Sequence, residues 1–60
     1  ALVDQVSWMK AMIPHHSIAI KNCEQATLRD PETVQLCEEI IRAQREEIAQ
    51  MEGILERLSR

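Results

Sequence analysis

Leu28-Arg29-Asp30-Pro31-Glu32 is the stretch on which the fold turns. Asp30 is suited to accept from the first unpaired N–H groups of a following helix, and Pro31 fits the first helical position, where a missing N–H costs nothing. Glu32 then sets a negative charge at the positive end of the helix dipole. The stretch ends one helix and starts another, which predicts a turn over 28–31.

On both sides apolar residues recur every three or four positions, the period of a helix with one buried stripe. Leu2, Val6, Met9, Ile13, His16, Ile20, Cys23 and Thr27 form the first stripe, with Lys10, Ser17 and Lys21 turned away from it. Val34, Cys37, Ile40, Ile41, Gln44, Ile48, Met51, Leu55 and Leu58 form the second, while Glu38 and Arg42, four apart, mark the wet side. The expectation is an all-α hairpin with helix one over 2–27 and helix two over 31–58. Pro14 leaves the carbonyl of Lys10 without its helical partner, so helix one either starts there or runs through with a kink. The stripe keeps its phase upstream of Pro14, which favours the kink. Gly53 weakens the last turns without breaking the pattern.

Two prolines, one glycine and neither tyrosine nor phenylalanine suit long helices rather than sheet. A chain of 60 residues makes one domain with a small core, so help from a partner, a metal or a disulfide is expected. The net charge of −3 and the absence of a basic cluster argue against nucleic acid as a partner. No apolar run approaches the roughly 20 residues that span a bilayer. The chain opens at Ala1 without a methionine and already within a helical pattern, which reads as a piece of a longer protein or its mature form.

Folding at about residue 30 brings together positions whose numbers sum to about 60, because both helices rise equally per residue. Cys23 then meets Cys37, His16 meets Gln44, Met12 meets Ile48 and Met9 meets Met51. Polar and sulfur-bearing residues thus occupy levels where an ordinary two-helix core would carry Leu or Ile.

Met9, Met12 and His16 share a face of helix one, and Met51 faces them. Thioether and imidazole donors suit Cu(I), whereas Mg and Ca take oxygen ligands. The competing reading is that methionine simply fills the core. Adjacent His15 and His16 diverge by about 100° on a helix, so they do not easily share one ion. His16 points inward, where it is either a ligand or a buried imidazole hydrogen-bonded to Gln44. His15 points to the flank of Trp8, Ala19 and Ala26, as a supporting group for the site or a partner of Glu47. Cys23 and Cys37 are either a disulfide that staples the hairpin, free thiols or Cu(I) thiolates. Met12 and Ile13 stand three residues before the histidines, where a di-iron site needs glutamate, and no His-Glu-x-x-His, glycine loop or activated serine is present. No catalytic residue and no enzyme activity are expected. Apolar residues outside the two stripes (Trp8, Ala19, Ala26, Leu36, Ala43, Ile54) predict a homodimer of four helices.

Met12-Ile13-Pro14-His15-His16-Ser17-Ile18-Ala19-Ile20, then Ile40-Ile41-Arg42-Ala43-Gln44-Arg45-Glu46-Glu47-Ile48-Ala49-Gln50-Met51, closely resemble the domain-of-unknown-function family 305, as does the Asp30-Pro31 turn. The resemblance covers nearly the whole chain. It implies a ferritin-like four-helix bundle, exported or on the outer side of a bacterial membrane and hence periplasmic or otherwise extracytoplasmic. It also implies copper binding through Met and His, which is linked to some members. Many members carry two hairpins, so here the second must come from another copy. By position the family motif falls on Met12, His15, His16, Gln44, Glu47 and Met51, whereas Cys23 and Cys37 are not part of it. The expected function is a metal-binding module, with Met9, Met12, His15, His16 and Met51 as the metal residues and Gln44 and Glu47 supporting the imidazoles. The alternative is a metal-free dimerisation module with a buried His/Gln/Glu network.

Overall fold

The computed structural model describes residues 4–60, and all of its regular structure is helical. Helix α1 spans Gln5–Gln25 and α2 spans Pro31–Leu58, packed against each other as a hairpin. The expected start of helix one at Leu2 lies outside the described residues. Asp4 caps α1, its side chain accepting from the Ser7 N–H at 2.8 Å. Asp30 caps α2 with Pro31 in the first turn, as the chemistry of the turn predicts, and accepts from the Thr33 N–H at 2.9 Å and the Thr33 hydroxyl at 2.8 Å. At the other end of α1, Ala26 adopts an extended conformation, so Thr27 lies beyond the helix rather than on its inner stripe. The reversal therefore occupies 26–30, wider than the 28–31 read from the sequence, and half-buried Leu28 lies within it. Pro14 sits inside α1 on its exposed side, and the helix continues through it.

The hairpin measures 45 × 24 × 14 Å. Its thin dimension is close to the roughly 10–12 Å diameter of one helix with side chains, so the structure is a single layer and only the seam can be buried. Among the described residues, only Met9, His16 and Met51 are buried. Val6, Ile13, Ile20, Cys23, Val34, Cys37, Ile40, Ile41, Gln44, Ile48 and Leu55 of the predicted stripes are half-buried, whereas Leu58, in the last turn of α2, is exposed. Cys23 and Cys37 are joined as a disulfide with their Cα atoms 5.6 Å apart. That spacing lies within the usual range for bridged cysteines and draws the helices together beside the turn.

The caps carry a pH dependence. Hydrogen bonds from the Thr33 hydroxyl and then its N–H hold the Asp30 carboxyl below its ordinary value of 3.8, and bonds from the N–H and then the side chain of Ser7 do the same for Asp4. A carboxyl depressed in the folded state contributes stability that is present above its unfolded value and lost as pH falls through the folded one. Helix content is therefore expected to hold above pH 3.8 and to decline below it. The paired change Asp4→Asn and Asp30→Asn keeps an acceptor oxygen at each cap without a titrating group, and should flatten that decline. Circular dichroism across the acid range checks this; an unchanged acid profile in the double variant contradicts it.

Candidate functional site

The chemistry-bearing residues converge in the half of the hairpin away from the turn. Trp8, Met9, Met12 and His16 of α1, with Glu47, Gln50, Met51 and Ile54 of α2, line a cavity of about 300 Å³. The spacing explains the gathering: 8, 9, 12 and 16 fall on one side of α1, as 47, 50, 51 and 54 do on α2, and antiparallel packing sets the two groups at one level.

His16 is held at both ring nitrogens. Nδ1 lies 2.9 Å from the carbonyl oxygen of Met12 one turn earlier, and Nε2 lies 2.7 Å from Oε1 of Glu47. A carbonyl has no proton to give, so Nδ1 is the donor in the first contact. Two lone pairs do not rest 2.7 Å apart, so a second proton lies between Nε2 and Oε1 of Glu47 across the helix seam. A histidine whose Nδ1–H is anchored on a carbonyl is oriented to ligate through Nε2, the usual arrangement at metal sites. The Glu47 side chain is 54% exposed against 9% for that of His16, so the carboxylate reaches in from water while the ring is fixed.

Two expectations are corrected by this geometry. The partner of His16 across the seam is Glu47 and not Gln44, which is half-buried one turn away. Matching levels by residue number fixes a position only to within about one turn, and Glu47 is the residue whose side chain reaches Nε2. Glu47 bonds His16 and not His15, which makes no hydrogen bond to it among the described residues. The His15 ring stands edge-on to that of His16 with centroids 6.2 Å apart, and the residue is exposed and does not line the cavity. Met9, Met12, His16 and Met51 are thus brought together, and His15 is not.

Among the described residues no three His, Cys, Asp or Glu side chains converge as a metal site, so an ion that prefers oxygen, imidazole and thiolate lacks a complete set here. Around the cavity the donors are one imidazole and three thioethers, which suit a soft ion, together with the oxygens of Glu47 and Gln50. Cys23 and Cys37 are committed to their disulfide near the turn. An exposed ion pair, Arg45 to Glu24 at 3.2 Å, crosses the seam between cavity and turn, where screening leaves it worth little. Among the described residues no helix is long and apolar enough to cross a membrane.

Comparison with known proteins places the chain. It is 40% identical over 58 residues to the uncharacterized protein L153 of Acanthamoeba polyphaga mimivirus, a match covering 93% of this chain and 38% of that protein. The chain thus spans well under half the length of that relative. No solved structure matches it. The family described as "Domain of unknown function (DUF305)" matches residues 4–60, nearly the full length, and the chain belongs to that family.

Proposed function

We propose that this chain is a module for binding a soft metal ion, copper as Cu(I), which handles or senses the ion outside the cytoplasm. The observation that carries the reading is His16, whose Nδ1 is anchored on the Met12 carbonyl and whose Nε2 is the ring nitrogen left for a ligand beside the three cavity methionines. Held there, the ion would take Nε2 and thioether sulfurs of Met9, Met12 and Met51 as donors. For this the proton between Nε2 and Glu47 must pass to water as the ion binds, and the exposure of Glu47 leaves it room to swing away with it. Titration against a chromophoric Cu(I) chelator, with a reductant that is not a thiol, tests the proposal. One ion bound per chain is expected, and failure to compete with the chelator overturns it.

The module works as a homodimer that completes a ferritin-like four-helix bundle. A single layer leaves Trp8 53%, Ile18 58% and Leu36 55% exposed, much large apolar surface for a hairpin with three buried residues among those described. Exposed Trp8 and half-buried Ile54 line the cavity, so a second copy seated over them also shields it from water. Sedimentation is expected to give twice the chain mass at micromolar concentration, and a stable folded monomer rules the dimer out.

One observation favours a second reading, in which the module is structural and binds no metal. The 2.7 Å bond between His16 and Glu47 joins the helices directly and satisfies the one buried imidazole, which is what a register-fixing polar pair does.

A further inference from the structure

Trp8 lines the same cavity as Met9, Met12, His16 and Met51, yet it is 53% exposed while those buried neighbours Met9, His16 and Met51 are 4%, 7% and 7% exposed. In the single hairpin the indole is therefore an outer wall of the cavity. Packing within the hairpin does not require an aromatic residue there, since Trp8 stays half in solvent, and the cap of α1 is made by Asp4 and Ser7. Trp8 and Met12, four residues apart, share a side of the helix.

The donors offered to a cation at this place are neutral: thioethers carry no charge, and neither does an imidazole that ligates through Nε2. Among the described residues that line the cavity, Glu47 alone is anionic. The negative face of an indole is the strongest aromatic partner for a cation, and it acts best where water is excluded.

We propose that Trp8 is a cation-binding residue of this cavity, its indole face covering a monovalent soft ion held by His16 and the methionines. The assignment rests on the metal-binding reading above.

The chain has a single tryptophan, so its emission reports this position alone. Ag(I) in chloride-free buffer is the probe, because it shares the closed shell and soft donors of Cu(I) and needs no reductant that would touch the disulfide. Emission should change saturably, reaching its end point at one Ag(I) per chain. Trp8→Leu should weaken Ag(I) binding about three- to tenfold, with Trp8→Phe between it and the parent. Equilibrium dialysis counts the bound ion independently. Bound Ag(I) with unchanged emission, or Trp8→Leu binding as tightly as the parent, overturns the role of Trp8 and leaves the metal reading standing. Dialysis that finds neither Ag(I) nor Cu(I) bound removes both.

Discussion

Opening the Cys23–Cys37 disulfide is expected to cost the folded hairpin about 3 kcal/mol, the loop-closure value for a cross-link of this span. The bridge joins residues separated by 14 in sequence and restrains the unfolded chain around the turn. Elsewhere that amount would be modest. Here it competes with a total of roughly 3–9 kcal/mol for a chain of this length, at the usual stability per residue. Among the described residues the seam has little else to offset the loss: three buried side chains, the His16–Glu47 bond and an exposed ion pair. For a domain this small each kcal/mol moves the midpoint by about 4–8 °C, so Cys23→Ser with Cys37→Ser should lower Tm by about 12 °C or more. Thermal denaturation followed by circular dichroism at one fixed chain concentration makes the comparison, since association also shifts the midpoint. A drop of only a few degrees would mean that dimer contacts, and not the bridge, hold the hairpin together.

Much of the fold was legible in the sequence because its signals are local or periodic. Asp30 and Pro31 announce the start of α2 by chemistry that needs no tertiary context, and the structure starts the helix there. The apolar stripes read as angles around a helix, and most of their members line the seam. Counting residues from the turn put Cys23 opposite Cys37, where the count has had little distance to drift. The same count fails further out. At His16 it named Gln44, while the bond goes to Glu47, because residues one turn apart on the same side differ in reach and charge rather than in pattern. The end of α1 was also hidden, since no glycine or proline follows Gln25 closely and the helix yields at Ala26 only because the chain must reverse. The bond from Nδ1 to the Met12 carbonyl carries a faint sequence signal, a histidine four residues after its acceptor, but the rotamer that makes it is set by packing.

Cu(I) should raise the melting temperature of the parent protein and leave that of His16→Ala unmoved. Ligand that binds only the folded state stabilises it by about 4 kcal/mol when its free concentration is 1,000 times Kd, which in so small a domain corresponds to a shift of about 15 °C or more. His16→Ala also matters without metal. It removes the partner of Glu47 across the seam and frees the Met12 carbonyl, so the apo variant should be less stable by about 1–3 kcal/mol under either reading. Apo stability therefore cannot separate a metal module from a structural pair, and the response to the ion can. Glu47→Gln separates them from the other side. If the carboxylate chiefly fixes the register of the helices, the variant loses apo stability and the ion still has no effect on melting. If Glu47 occupies Nε2 only until an ion arrives, the variant keeps the copper-induced shift, because Nδ1 is still anchored on Met12 and the sulfurs of Met9, Met12 and Met51 remain in place. Met12→Leu with Met51→Leu completes the set: it keeps the apolar volume of the seam while removing two thioethers, so its apo melting should stay near the parent's and its copper shift should shrink. A copper shift that survives both His16→Ala and the double methionine variant would place the ion elsewhere on the chain and refute this site.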